Sequence, residues 1–221
     1  ELSFRDGSIF PKGQFSWLIR AFRDGKEVGI RLVDREKDRL LYHWEKTEEP
    51  LVMQVTEKET YTVFTVLECP DSFDFLEIGP IVTSLNEVVG DVIGVVQGGM
   101  VALGIQALNV KTLSGFPHEL KDQVIHRKET PTSELTVSSL DFSMAAAYDM
   151  PFGSVLQLYC ENRRRDRIKT VCYAENCIPA PKLERDDADI KGCSFALFAC
   201  EKEAALAVIG EIEMGEGLPH P

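Results

Sequence analysis

The sequence lacks the short motifs by which common enzyme classes are recognised. It contains no Gly-x-Ser-x-Gly nucleophile turn, no phosphate loop ending in Gly-Lys-Ser/Thr, no Gly-x-Gly-x-x-Gly and no His-Glu-x-x-His. His118-Glu119 begins like the last of these, but Asp122 stands where the second histidine is required. The sequence therefore nominates no catalytic residue and favours a non-enzymatic protein, while an enzyme built from residues scattered along the chain stays open.

Metal-binding patterns are also missing. The chain has four histidines and six cysteines but no Cys-x-x-Cys, and the spacings Cys172 to Cys177 and Cys193 to Cys200 match no common zinc site. An acidic run at residues 184–189 lacks the spacing and the closing glutamate of a calcium loop. We predict no metal and no cofactor, and we expect the cysteines to be reduced and mostly buried in a cytosolic protein.

Positive charge is scarce, with 24 Lys and Arg against 36 Asp and Glu and a net charge of -12. This balance argues against a general affinity for nucleic acid. One basic cluster stands out between two predicted strands, and it consists of Arg163, Arg164, Arg165, Arg167 and Lys169. It is either a solvated hairpin tip or a contact for phosphate or anionic lipid, for which the forked donors of arginine are suited.

Strand signals dominate the remaining chain, which has 221 residues, 44% of them hydrophobic. We predict a single domain, residues 1–221, of class α+β: a twisted, mainly antiparallel sheet with a few short helices. Asp24-Gly25 is a strong hairpin signal. The predicted strands include residues 15–22, 28–33, 40–44, 51–67, 135–142, 154–160, 168–173 and 193–200, and the predicted helices are residues 118–128 and 201–212. Leu206 and Ile209 are placed on the apolar side of the second helix.

Loops and core positions follow from the same patterns. Residues 70–80 are predicted to be a loop that Phe73, Phe75 and Leu76 pin to the core. The predicted core residues are Trp17, Ile19, Ile30, Leu32, Val63, Val66, Val92, Ile105, Leu156, Leu158, Phe195 and Leu197.

The segment around residues 81–110 has no charged residue between Asp91 and Lys111, although 27% of the chain is charged. Three conformations compete for it. A membrane-spanning helix would place Gly90, Gly94 and Gly98 on one face. A buried soluble helix would begin with a capping box at Ser84, but each interior glycine would cost it about 1 kcal/mol.

A β-hairpin is the interpretation we favour for this segment. Its β-branched residues prefer strands, and Gln97-Gly98-Gly99 is a turn signal. The two arms, Val88 to Val96 and Met100 to Val110, are each about ten residues long, which suits either core strands or tilted strands that cross a bilayer. The candidate membrane-inserting side chains on these arms are Val88, Val92, Val96, Val101, Leu103 and Ile105.

Two stretches resemble the pore-forming domain of gasdermins. Met150-Pro-Phe-Gly-Ser-Val-Leu-Gln-Leu-Tyr-Cys160 is similar to a Pro-x-Gly-x-x-Leu strand near the end of that domain, and Val89-Gly-Asp-Val92 through Thr112 resembles the first inserting hairpin in layout. Together they cover about a quarter of the chain. The resemblance implies a cytosolic protein that binds acidic lipids, assembles into a large β-barrel pore and acts in cell death.

The functional prediction combines the hairpin with the basic cluster. We predict a cytoplasmic protein able to associate with membranes, which binds anionic lipids and forms a homo-oligomeric pore without catalysis. The alternative is a non-enzymatic interaction module, a homo- or hetero-oligomer, whose apolar hairpin is buried at an interface with a partner or a second copy.

Overall fold

The computed structural model describes residues 9–11, 13–44, 49–115, 145–163 and 188–218, together with the backbone of residues 170–173 and 176–179. Every strand pair in this part of the chain is antiparallel. The mainly antiparallel sheet predicted from the sequence is confirmed. Helix is scarcer than α+β implies, because the described residues contain one α-helix, α1 (Ala205–Gly215), which follows a 3₁₀ turn at Lys202–Ala204.

Two sheets carry almost all of the described strands. The smaller sheet contains β1 (Ile19–Arg23), β2 (Lys26–Val28), β7 (Phe75–Thr83), β11 (Thr112–Ser114), β12 (Ala147–Met150) and β13 (Gly153–Glu161). Its order is β11-β13-β7-β1-β2, and β12 also pairs with β13.

The larger sheet has eight strands in the order β3-β4-β5-β6-β16-β10-β9-β8. They are β3 (Ile30–Glu36), β4 (Arg39–Trp44), β5 (Leu51–Glu57), β6 (Tyr61–Glu68), β8 (Glu87–Gly90), β9 (Gly94–Gly98), β10 (Val101–Ala107) and β16 (Ser194–Glu201). A separate two-stranded ribbon joins β14 (Thr170–Tyr173) to β15 (Asn176–Pro179).

The two sheets pack face to face, and β13 of the smaller sheet contacts β9 and β10 of the larger one. Their facing sides form one core, to which β10 contributes Leu103 and Ile105 and β13 contributes Leu156 and Leu158. The intervening residues of β10 point the other way because successive side chains of a strand lie on opposite faces. Strand β10 is therefore covered on both sides.

Helix α1 covers the outer face of the larger sheet with Ala205, Val208 and Ile212. Beneath it, Phe198 of β16 lies over Gly104 of β10, so closely that a Cβ atom on Gly104 would be 2.1 Å from a ring carbon. Glycine is needed at this position because any side chain would displace the ring.

Several predicted elements are confirmed. Asp24 and Gly25 form the β1–β2 turn with φ of 51° and 70°. Gly98 pairs with Val101 across the predicted Gln97-Gly98-Gly99 turn. The strands predicted at residues 154–160 and 193–200 correspond to β13 and β16.

Other predicted elements need correction. Both helical interpretations of the central segment are wrong, because it forms strands. Residues 88–96 are not one arm: the chain reverses at 91–93, so that β8 pairs with β9 and Val88 lies opposite Val96. The loop predicted at 70–80 ends early, since β7 starts at Phe75 and continues through Gly79-Pro80, although Phe73, Phe75 and Leu76 are buried as expected.

The core prediction was wrong at Trp17 and Leu32, each 45% exposed, and at Val92. Trp17 precedes β1. Leu32 lies on the edge strand β3, where an alternating pattern of apolar residues does not guarantee that a second sheet covers them. Leu206 is exposed although Ile209 is half-buried. The remaining core residues are buried or half-buried: Ile19, Ile30, Val63, Val66, Ile105, Leu156, Leu158, Phe195 and Leu197. The helix predicted at 118–128 and the strand at 135–142 lie outside the described residues.

Candidate functional site

Two neighbouring turns at one end of the larger sheet expose apolar side chains. Gly94 pairs with Ile105, so the turn that enters β9 lies beside the turn that leaves β10. Val92 in the first turn is 72% exposed and Val110 in the second is 74% exposed. Ile93 and Leu108 lie behind them and pack against the outer-face core. We call Val92, Ile93, Leu108 and Val110 the apolar tip.

Hydrogen bonds fix the shape of the first turn. The Asp91 Oδ1 accepts a hydrogen bond from the Val92 amide at 3.0 Å, and the Ser114 hydroxyl donates to the Val92 carbonyl at 3.2 Å. The Asp91 carbonyl accepts a bond from the Ala146 amide at 2.6 Å. Because these bonds satisfy the backbone locally, the Val92 side chain is left on the outside of a well-defined turn.

The second turn is held in a similar way. The Asn109 Oδ1 accepts a hydrogen bond from the Lys111 amide at 3.1 Å, and its Nδ2 donates to the Gly192 carbonyl at 2.8 Å. The Lys111 ammonium forms an ion pair with Asp189 at 3.1 Å and also donates to the Lys191 carbonyl. The charged group nearest in sequence to Val110, the Lys111 ammonium, is thus engaged with the protein.

The six predicted inserting residues do not form one lipid-facing surface. Val96, Leu103 and Ile105 are buried between the sheets, and Val88 packs against the same core. Val101 is half-buried, and only Val92 is exposed. Sequence reasoning found the hairpin but missed Val110 as an exposed residue, because the position of the β10–β11 turn depends on the pairing of β11 with β13.

Of the five residues of the predicted basic cluster, Arg163 lies in the described part of the structure. The Arg163 amide donates to the Ala188 carbonyl at 2.6 Å, and its Nε lies 3.6 Å from the Glu161 carboxylate. Arg164, Arg165, Arg167 and Lys169 lie outside the described residues.

A cleft of about 240 Å³ opens at the same end of the molecule as the apolar tip. Three carboxylates and one ammonium line it together with two prolines and a cysteine: Glu49, Glu68, Asp71, Lys191, Pro50, Pro70 and Cys69. Among the described residues no group of three His, Cys, Asp or Glu side chains could hold a metal ion. The sequence had not indicated this cleft, since its residues come from three separate turns.

Three buried cysteines lie at and beneath this cleft. Cys69, Cys160 and Cys193 are free thiols, and the Cys193 thiol donates a hydrogen bond to the Lys111 carbonyl at 3.5 Å. Burial raises the pKa of Cys69 and of Cys160, and the neighbouring thiols add to the effect. These two thiols are therefore protonated at neutral pH, and a protonated thiol is a weak nucleophile. The expectation that the cysteines are mostly buried is met at these three residues, and Cys200 is half-buried.

A buried ion pair on the smaller sheet was not foreseen from the sequence. Arg20 donates to Glu77 at 2.5 Å and forms a second ion pair with Glu27, while its guanidinium lies 5.1 Å from the centre of the Phe22 ring. Burial alone would lower the pKa of Arg20, but the hydrogen bond to Glu27 and the charge of Glu77 raise it overall. Removal of one partner from a buried ion pair is strongly destabilising, so Arg20 has a structural role here.

Comparison with known proteins gives no match, whether with family models, curated proteins or solved structures. In the described part of the chain no helix has the length and apolarity needed to cross a membrane.

Proposed function

We propose that this protein is a membrane-active, lipid-binding protein and that the apolar tip is its contact with the bilayer. The observation that carries the proposal is the exposure of Val92 and Val110, both above 70%, in two adjacent turns. The sequence between Asp91 and Lys111 contains no charge that would resist entry into the headgroup region. Exposed apolar residues at the end of a rigid scaffold suit shallow insertion.

The size of the tip favours a bilayer over a protein as its partner. A stable protein interface buries about 800 Å² on each partner, and two protruding valines supply much less than that. A bilayer needs no complementary surface, because any apolar side chain that reaches the acyl boundary is removed from water. A convex pair of small apolar residues therefore fits lipid better than it fits a folded protein.

The energetics predict weak, reversible binding. Burial of a valine contributes about 2 kcal/mol, so the two exposed valines contribute about 4 kcal/mol together. That is less than a single myristoyl chain gives, and one such chain anchors a protein only marginally. A second attraction is needed, and the basic cluster, at about 1 kcal/mol for each contact with an anionic surface, is the candidate for it. Binding should consequently require anionic lipid and decrease with salt.

Assembly into a β-hairpin pore is the further step of this proposal, as the gasdermin resemblance implies. Val96, Leu103 and Ile105 are packed between the two sheets, so insertion of the hairpin would require the sheets to separate. Surface binding and pore formation are thus separable, and the second is expected only after a trigger or at high local concentration. Homo-oligomers on the membrane are the expected product.

Vesicle binding tests the lipid contact. The double variant Val92→Asp/Val110→Asp should lose co-sedimentation with phosphatidylcholine/phosphatidylserine vesicles, whereas Leu32→Asp, an exposed apolar residue on the edge strand β3, should bind like the parent. Vesicles of phosphatidylcholine alone should bind little. Dye release from the same vesicles reports pore formation separately from binding.

The basic cluster is tested with Arg163, Arg164, Arg165 and Arg167 all changed to glutamate. We expect this variant to bind vesicles that contain phosphatidylserine no better than vesicles of phosphatidylcholine alone. If the parent neither binds nor permeabilises vesicles of any composition, the membrane proposal is wrong, and an interaction module with the hairpin at a protein interface takes its place.

A further inference from the structure

The separate two-stranded ribbon places two cysteines opposite each other. Strands β14 and β15 pair antiparallel, and Cys172 of β14 is the direct partner of Cys177 of β15. Two residues that are directly opposite in an antiparallel pair lie on the same face of the ribbon, where their Cβ atoms are near neighbours. The backbone register therefore brings together two thiol-bearing residues that the sequence alone shows only as a spacing.

The proline at the end of β15 shows which kind of pair the cysteines form. Opposite residues of antiparallel strands alternate between pairs that exchange both backbone hydrogen bonds and pairs that exchange none. Pro179 lies opposite Thr170 and has no backbone N–H, so these two residues cannot exchange both bonds and belong to the second kind. Cys172 and Cys177 lie two positions further along each strand, so they are also a non-hydrogen-bonded pair.

A non-hydrogen-bonded pair has the backbone geometry that a disulfide requires. Its Cα atoms are about 4.5 Å apart, against about 5.5 Å in a hydrogen-bonded pair. Disulfides join residues whose Cα atoms are about 4.4 to 6.8 Å apart. The Cβ atoms of opposite residues also approach most closely in pairs of this kind. A disulfide between Cys172 and Cys177 is thus compatible with the strand pairing as it stands.

We propose that Cys172 and Cys177 are a redox-active pair that closes into a disulfide across the β14–β15 ribbon. With glutathione disulfide as the oxidant, the thiolate of one cysteine attacks it, forms a mixed disulfide and releases one glutathione thiolate. The thiolate of the second cysteine then attacks the protein sulfur of the mixed disulfide and releases the other glutathione. The protein gives up two protons and two electrons, and one glutathione disulfide becomes two glutathione thiols.

The other cysteines of the described residues are less suited to this reaction. Cys160 and Cys200 lie in strands, and the residues opposite them are not cysteines. Cys69, Cys160 and Cys193 are buried. Burial raises the pKa of the Cys69 and Cys160 thiols, so little thiolate is present to react. Oxidation is therefore expected first at the ribbon.

The bond would support an element that pairs with neither of the two large sheets. Among the described strands, β14 and β15 pair only with each other. A single two-stranded hairpin is at best marginally stable in water, and a disulfide restricts how far its strands can separate. In the cytoplasmic setting predicted from the sequence, such a bond is transient and redox-sensing. This inference does not depend on the membrane proposal.

Oxidation of the full chain in glutathione buffers tests the proposal. The protein is equilibrated at graded ratios of reduced to oxidised glutathione with EDTA, quenched with acid, alkylated in denaturant and digested with trypsin. Cleavage after Lys169 and Lys182 leaves both cysteines in one peptide, residues 170–182. The disulfide form of this peptide escapes alkylation and is two hydrogen atoms lighter than the dithiol. It should accumulate while the other four of the six cysteines stay alkylated.

A register variant separates strand pairing from nearness in sequence. Cys177→Ser/Ile178→Cys keeps six cysteines but moves one of them opposite Val171, to the other face of the ribbon from Cys172. Its equilibrium constant for disulfide formation should be at least ~10-fold lower than that of the parent, which corresponds to about 30 mV in reduction potential. The parent in concentrated urea should lose the same advantage. An unchanged circular dichroism spectrum shows that the variant is folded.

Hydrogen exchange measured by NMR shows whether the bond closes the ribbon. The amides of β14 and β15 should exchange at least ~10-fold more slowly in the oxidised than in the reduced parent, because opening of the ribbon is restricted. Three results would each overturn the proposal: a peptide that stays in the dithiol form at every glutathione ratio, a register variant or unfolded parent that is oxidised as readily as the folded parent, or equal exchange in the two redox forms.

Discussion

The arms and the turns of the central segment have the same composition but opposite environments. Val96 and Ile105, on β9 and β10, are fully buried, while Val92 and Val110, in the turns beside these strands, are more than 70% exposed. All four are β-branched residues in a stretch without charge. Their hydrophobicity does not distinguish these four residues. The pairing of the strands decides which of them are buried and which are exposed. Four measurements can break or sharpen this contrast.

The largest effect is expected where a buried arm residue is compared with an exposed turn residue. Ile105→Ala should lower the free energy of unfolding by about 3 kcal/mol, because it leaves a cavity between the two sheets. Val110→Ala should change it by less than about 0.5 kcal/mol. Urea unfolding of both variants measures the difference. Equal effects would mean that the turn is packed as tightly as the arm.

A smaller effect is expected at the opposite face of the same strand. Gly104→Ala places a methyl group 2.1 Å from the Phe198 ring and should cost about 2 kcal/mol through overpacking. The same Gly104→Ala change should cost less in a protein that already carries Phe198→Leu, because the smaller side chain leaves room for the methyl group. A double-mutant cycle by urea unfolding gives the coupling, and additive effects would contradict the contact.

Gln106 tests whether a polar residue belongs in the buried arm. Its Oε1 is buried and has no hydrogen-bond partner among the described residues. Gln106→Leu should therefore be neutral or stabilise the protein by about 1 kcal/mol. Gln97, which is half-buried and donates to the Lys202 carbonyl at 3.4 Å, is the control, and Gln97→Leu should not stabilise. A destabilised Gln106→Leu protein would indicate that the amide is satisfied in solution.

The smallest effect at neutral pH is expected at Tyr42, a buried residue on β4 of the same sheet. Burial raises the pKa of Tyr42 to about 12 from an ordinary value near 10. Because the folded form binds this proton more tightly, the contribution of Tyr42 is complete below about pH 10 and is lost as the pH rises from about 10 to 12. Tyr42→Phe should flatten the pH dependence of the urea midpoint in this window. An unchanged alkaline slope would show that Tyr42 does not cause it.

Much of the strand content could be predicted because it depends on local chemistry. Asp24, Gly25 and Gly99 adopt positive φ angles that glycine and aspartate accept readily, so both turns were found. The strand at 154–160 was recognised from its apolar run. The break at residues 91–93 was missed because Asp91 and Gly90 interrupt a valine-rich run only briefly, and β7 was shortened because Gly79-Pro80 reads as a turn.

The candidate site was predicted only in outline. The sequence located an uncharged hairpin and a basic cluster, and both contribute to the membrane proposal. It did not identify Val110 as part of the exposed tip, nor the exposure of Leu206 and Met214 on α1. In each case exposure depends on what packs against the residue from distant parts of the chain.

The sequence by itself determined the antiparallel strand content, the tight turns and the absence of recognisable catalytic motifs, because these depend on residue type and spacing over a few positions. Only the tertiary structure decided which apolar residues are surface. The smaller sheet covers one side of β10 and α1 covers the other, yet the turn beyond the end of β10 and the outer side of α1 stay uncovered by the described residues. Burial depends on the register and stacking of strands far apart in sequence, and local hydrophobicity carries no information about that arrangement.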